Sequence, residues 1–269
     1  NLLAIADMEN LRLIEGVRGV RTLGALELAR LPSLAPGQGF LSLTSLQNLL
    51  LERIEPSWEF GELEIVAPLS SVFVARTSFS NLAGMELARD ADVTLAFNEN
   101  LADLRGVNTP RFLGRVTAAG NAFSSIGWQS VGTIKTLSLE LSPALQSVDL
   151  PALTRIDNEL KLRDLSGLGD DMGLRRLQSV GEDLEIQKCS SLTMLALPSL
   201  RLIEDDLLVS FNDNLQDLGP LDLDRVVDEV SFRQNESLPS CEVEALVTRI
   251  EDGPSSVTNI GNDGAGSCN

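Results

Sequence analysis

The chain has 269 residues, 43% of them hydrophobic and only 4% aromatic, which suits a large core built from aliphatic side chains. Its net charge of −18, from 39 acidic and 21 basic residues, repels phosphate backbones and anionic lipid surfaces, so nucleic-acid binding is not expected. There is no histidine, which excludes His-based triads and zinc sites, and three cysteines are too few for a four-thiolate zinc site.

Short strands recur along the chain at a nearly fixed interval. Copies start at Leu2, Ala25, Asn48, Ser71, Asp92, Arg115, Thr136, Glu159, Asp183, Asp206 and Glu229, separated by 21 to 24 residues. Each opens with five residues alternating polar and apolar, the strand period. The second and fourth positions are expected to point inward: Leu3 and Ile5, Leu26 and Leu28, Leu49 and Leu51, Val72 and Val74, Val93 and Leu95, Val116 and Ala118, and so on to Val230 and Phe232. Identical strands at such spacing predict a parallel solenoid in which each strand pairs with its counterpart one coil on.

A turn follows each strand, then a Leu three residues later: Asn98 with Leu101, Ser142 with Leu145, Cys189 with Leu192, Asn212 with Leu215, Asn235 with Leu238. Asn at stacked turn positions is expected to satisfy buried backbone amides of adjacent coils through its side chain. Cys189 in that place reads as a buried packing residue. A second segment, Leu150-Pro-Ala-Leu-Thr-Arg-Ile156 or Leu197-Pro-Ser-Leu-Arg-Leu-Ile203, marks the next corner and a short second strand. The run from Ile203 to Leu215 has more residues between its anchors than a leucine-rich repeat, which argues against a standard horseshoe.

Together these features predict a mainly β fold: a right-handed parallel β-solenoid of about eleven coils over residues 1–240, with a helical cap and tail over 241–269 in the same domain. The repeat resembles the receptor L-domain, the ligand-binding solenoid of insulin-receptor and epidermal-growth-factor-receptor ectodomains. The motif is strand, Asn or Cys turn, Leu, then second short strand, as in Asp183 to Asp205. Similar repeats occur in fungal cell-wall proteins and bacterial surface or lipid-anchored proteins, and the C-terminus looks most like the bacterial set. The resemblance implies a non-catalytic binding module outside the cytoplasm. Receptor L-domains are shorter and richer in Cys, and no ligand-contact motif transfers.

After Arg233 the regular strands are expected to stop. Ser240 is the expected cap of a helix from about Cys241 to Glu251, with Glu242 and Glu244 in its first turn and Val243, Leu246, Val247 and Ile250 on its apolar face, a lid over the last coil. Cys241 and Cys268 flank it. They read either as a disulfide, which implies an oxidising compartment, or as two free thiols.

The outward strand positions give the candidate site. In the first six copies they are low in charge, and Leu50 and Phe73 are expected to be exposed neighbours, with Ala75 and Thr94 beside them, forming a surface for a protein or glycan. Asp170-Asp171, Glu204-Asp205-Asp206 and Asp222 with Asp224 read as solvated turns, since none has a recognised calcium-loop spacing. Arg115 beside Asp92 reads as a cross-strand ion pair. No cofactor, metal or catalytic residue is expected. No run reaches the roughly 20 apolar residues needed to cross a bilayer. No signal peptide is visible and the chain starts inside the first repeat, so anchoring through upstream residues is the expectation. Two other functions fit a solenoid: a passive envelope spacer, and a polysaccharide-active β-helix enzyme.

Overall fold

The computed structural model describes residues 1–12, 14, 19–34, 43–55, 60–63, 65 and 67–265. The chain divides into two compact units, Asn1–Val131 and Gly132–Asn269. In the N-terminal unit the alternating segments form β1 (Leu2–Ala6), β2 (Thr22–Ala29), β3 (Ser45–Glu52), β4 (Leu69–Ala75), β5 (Leu87–Ala96) and β6 (Phe112–Ala119). Each pairs in parallel with the next. In the C-terminal unit the alternating segments form β7 (Thr133–Glu140), β9 (Leu160–Arg163), β11 (Leu184–Gln187), β13 (Leu207–Ser210), β15 (Glu229–Arg233) and β16 (Ser256–Ile260), again in parallel order. A second ladder there joins the two-residue strands β8 (Arg155–Ile156), β10 (Ser179–Val180), β12 (Leu202–Ile203) and β14 (Arg225–Val226). Each unit is thus a parallel β-solenoid, as the repeat predicts. The ladder partners, such as Leu2 with Ala25, Asn48 with Ser71 and Leu184 with Leu207, follow the repeat alignment residue for residue.

The core is the stack of inward positions. Every second- and fourth-position residue from Leu26 to Phe232 is buried, at most 2% exposed. Leu3 and Ile5 in β1 are half-buried. Identical apolar side chains one rung apart sit at the strand spacing of about 4.8 Å, so each layer seals the next.

The turn positions stack as expected, and the ladder is longer than the sequence signal suggested. In the C-terminal unit the Asn212 side chain accepts from the Cys189 amide (2.9 Å) and donates to Ile186 O (3.0 Å). Asn235 accepts from the Asn212 amide (3.0 Å) and donates to Val209 O (3.0 Å), and Asn262 does the same for Asn235 (3.0 Å) and Phe232 (2.8 Å). In the N-terminal unit Asn98 serves Thr77 and Val74, and Asn121 serves Asn98 and Leu95. These side chains are buried with both ends of the amide bonded, which fixes the separation of adjacent coils. Cys189 is buried and free, and burial pushes its thiol up to about 12.

The residue between strand and ladder position was not foreseen. Asp7, Arg30, Arg53, Arg76 and Phe97, then Leu141, Asp164, Lys188, Phe211 and Gln234, all have φ between 50° and 59°, and Gly120 and Gly261 occupy the same place at 65° and 70°. Such a left-handed residue costs about 1–2 kcal/mol when it is not glycine. It is tolerated because its amide donates across the ladder, as Arg76 N does to Ala96 O (2.9 Å) and Phe211 N to Arg233 O (3.0 Å).

The C-terminus departs from expectation. The one α-helix among the described residues, α1, spans Ser240–Arg249. Ser240 does not cap it. Pro239 stands at the N-cap with no side-chain cap bond, and the Ser240 hydroxyl instead donates to Asn262 O. Val243, Leu246 and Ile250 are buried as expected. The helix does not close the stack, because the chain returns as β16, a twelfth copy of the repeat that lies parallel to β15 with Ser256 opposite Glu229. The helix lengthens this coil to 27 residues, outside the 21-to-24-residue interval of the other copies. Cys241 lies at the start of α1, and Cys268, its expected partner, is outside the described residues. No helix among the described residues is long and apolar enough to cross a membrane.

Candidate functional site

The expected surface lies on β1 to β6 of the N-terminal unit. Its middle column runs Ala4, Glu27, Leu50, Phe73, Thr94 and Thr117, each in register with the next. The fold therefore brings Leu50, Phe73 and Thr94 together, with Leu50 and Phe73 directly paired. It does not leave them as exposed as the sequence suggested, for all three are half-buried. Side chains one rung apart on a parallel face shield each other's flanks.

Ala75 requires a larger correction: it is fully buried. It pairs with Glu52 on one rung and Ala96 on the other. It belongs to a column of small residues, Ala6, Ala29, Ala75, Ala96 and Ala119, interrupted by Glu52. Three arginines from the left-handed column converge on that carboxylate: Arg30 Nη1 at 3.9 Å, Arg53 Nε at 4.0 Å and Arg76 Nη1 at 3.8 Å. Arg30 also holds Asp7 with a two-point ion pair, which keeps the Asp7 carboxyl below its usual range. Next along the column, the Arg76 guanidinium lies 5.1 Å from the centre of the Phe97 ring. Gly120 follows, and a Cβ there would sit 2.6 Å from Phe97 Cδ1, so the ring requires glycine in the following rung. A depression of about 420 Å³ opens beside Phe97, lined by Arg76, Thr77, Ser78, Glu99 and Asn100.

The arginine row was missed because its residues looked like ordinary turn charges. A signal was present: inward residues fall at positions two, four and seven of the second to eleventh copies, so one residue must break the alternation. That residue is the left-handed one, and its side chain projects along the border of the face.

The acidic turns lie in the C-terminal unit. Asp183, Asp205 and Asp206 bring carboxylate oxygens within 4.8 Å of one another. They are the described residues that could hold a cation, but three carboxylates fall well short of the six to eight oxygens calcium takes. Two of the three already serve the backbone: Asp183 Oδ1 accepts the Asp206 amide (3.2 Å) and Asp206 Oδ1 the Glu229 amide (2.8 Å). Burial, reinforced by neighbouring carboxylates, raises the affinity of Asp183, Asp206 and Glu159 for a proton. Asp170 goes the other way: burial opposes its charge, but the Thr193 hydroxyl and the Thr193 and Met194 amides outweigh it. Asp171 pairs with Arg175 at 2.6 Å. Asp92 and Arg115 do not form the expected ion pair; Asp92 Oδ1 accepts the Arg115 backbone amide at 2.6 Å.

Chemically, the N-terminal face offers a strip of small and apolar side chains bordered by guanidinium donors. Comparison of the chain with protein-family models, curated proteins and solved structures finds no match.

Proposed function

We propose that this protein is a non-catalytic recognition module of receptor L-domain type, displayed at a cell surface or in an envelope, which binds a protein or glycan on the sheet face of its N-terminal unit. The observation that carries this reading is the in-register run Leu50, Phe73 and Thr94 on a face where only Glu27, Glu52, Asp92 and Arg115 are charged. A strip of aliphatic, aromatic and hydroxyl groups contacts a partner at low desolvation cost, and the arginine border supplies donors for carboxylates or sugar hydroxyls. Export is supported by the expected Cys241–Cys268 pair, since Cys189 is the free cysteine among the described residues. A thiol assay on the unreduced, denatured chain then finds one free thiol; three would remove the pair.

The test is capture from the envelope fraction together with a glycan array, comparing wild type, Leu50→Asp/Phe73→Asp and Thr94→Lys. Because Leu50 and Phe73 are half-buried, circular dichroism must show each variant folded. Thr94→Lys changes a polar position and leaves the apolar pair in place. A partner bound by wild type and weakened about tenfold or more by both variants supports this surface. Equal binding by all three proteins removes it, and no wild-type ligand in either assay favours a passive spacer.

A further inference from the structure

The C-terminal unit carries an open strand edge. Among the described residues β16 pairs with β15 on one side and with no strand on the other. The Ser256 amide donates to Asp228 O, and Ile260 O accepts from the Gln234 amide. In a parallel ladder the bonding residues alternate, so Ser256, Thr258 and Ile260 turn their backbone groups toward β15. The amides and carbonyls of Val257 and Asn259 therefore face outward.

This edge lacks the features that keep strand edges from pairing, namely charge, proline or a bulge. Its sequence, Ser-Val-Thr-Asn-Ile, is uncharged and largely β-branched. β9, β11 and β15 of the same unit each carry charged side chains. Val257 occupies the inward column, where its ladder partner Val230 is fully buried, yet Val257 is 48% exposed and Ile260 59%. Unsatisfied backbone groups select an extended peptide as occupant, because only another strand offers donors and acceptors at the matching spacing. The surroundings select its charge. Glu251 before the strand and Asp263 after it are exposed, in a unit that holds 25 acidic and 11 basic residues, net −14. The same excess of like charge opposes docking of a second copy of this unit.

We propose that β16 is a strand-addition site for an extended segment of a partner protein, one that sets an apolar residue against Val257 and carries Lys or Arg on both flanks. The site is separate from the sheet face of the N-terminal unit, so Leu50→Asp/Phe73→Asp leaves it intact.

The test titrates the full chain by calorimetry with the synthetic peptide Lys-Lys-Thr-Val-Thr-Val-Thr-Lys-Lys. A second peptide of identical charge has alternate backbone amides methylated and cannot pair. Wild type is expected to bind the first about tenfold or more tightly than the second. Binding should slow amide exchange at Val257 and Asn259 while leaving Thr258, already paired, unchanged. Val257→Asp keeps the exposed position and adds negative charge, so it should weaken the first peptide if strand addition holds. Equal binding of both peptides, or tighter binding by Val257→Asp, means charge attraction alone and overturns the proposal. No binding of the first peptide also overturns it, as does a wild-type oligomer that Val257→Asp dissociates, because the occupant is then a second copy.

Discussion

The two units solve the same corner differently. In the N-terminal unit β2, β3, β5 and β6 run eight to ten residues through the bend without a break. In the C-terminal unit β7 also runs eight residues unbroken, but the bend splits each of the next four coils into a two-residue and a four- or five-residue strand, such as β8 with β9 and β12 with β13. The residues in the gaps are Asp157-Asn-Glu159, Gly181-Glu-Asp183, Glu204-Asp-Asp206 and, before β15, Val227-Asp228. There a carboxylate of one coil accepts the strand-start amide of the next. The same bond occurs in the N-terminal unit, where Asp92 accepts the Arg115 amide, but the split corners stack acidic residues rung upon rung. The N-terminal unit, with 10 basic and 14 acidic residues, carries net −4 against the −14 of the other. Part of the charge asymmetry between the halves therefore follows from corner geometry.

The ladder position gives the largest expected contrast. In the C-terminal unit it holds Asn212 and Asn235; in early coils of the N-terminal unit it holds Leu31 and Ile54, both fully buried. Asn235→Leu strips partners from the Asn212 amide, the Asn212 side chain and Val209 O. We expect a loss of about 4 kcal/mol, since each buried unsatisfied group costs about 1–3 kcal/mol. Urea unfolding followed by circular dichroism measures it. A loss under about 1 kcal/mol would mean that the amide ladder is not what spaces these coils.

Next comes the corner itself. A Cβ on Gly181 would sit 1.9 Å from Asp157 O; in the smoother bend one on Gly114 would sit 2.7 Å from Asp90 O and one on Gly24 would meet Asn1 O at 3.1 Å. Gly181→Ala is expected to cost about 3 kcal/mol and Gly24→Ala under about 1 kcal/mol. Equal midpoints for the two variants would erase the distinction between sharp and smooth corners.

The smallest effect concerns protons. Asp183, Asp206 and Glu159 have folded-state pKa values raised by burial and like charge, so the folded state binds these protons more tightly than the unfolded chain. Their ionisation costs stability at neutral pH, and the cost is relieved as pH falls through their folded pKa values toward the ordinary carboxylate range. Asp7 and Asp103 in the N-terminal unit are lowered by Arg30 and Arg105; their contribution is present above the ordinary carboxylate range and lost as pH falls through their depressed values. Asp183→Asn keeps an acceptor for the Asp206 amide and removes a charge. It should raise stability by about 0.5 kcal/mol at pH 7 and flatten the gain on mild acidification. A melting series from pH 7 to mild acid checks this, and a destabilised variant at pH 7 would reverse the assigned sign.

Much of the fold was legible because a solenoid repeats its physics. Polar–apolar alternation identified each inward pair from Leu26 to Phe232, and the near-constant interval set the ladder register, since each strand has one equivalent neighbour per coil. Less of the candidate site could be read. Alternation says that Leu50, Phe73 and Ala75 point outward, but exposure depends on the heights of neighbours one rung away. Ala75 is fully buried, and its rung neighbours Glu52 and Ala96 lie 23 and 21 residues away in sequence. Asp92 and Arg115 likewise meet through a backbone amide, a partner that residue types alone do not reveal.

The amino-acid sequence by itself determined the strand positions, their register and the polar rung at the turn, because periodic burial and periodic hydrogen bonding leave periodic marks. The broken alternation marks the place after each sheet strand, but tertiary structure decided that the residue there is left-handed and that Arg30, Arg53 and Arg76 align around Glu52. It also decided that the chain returns after α1 to add β16. Both results depend on hydrogen bonds to the neighbouring coil, which exist only once the coils are stacked.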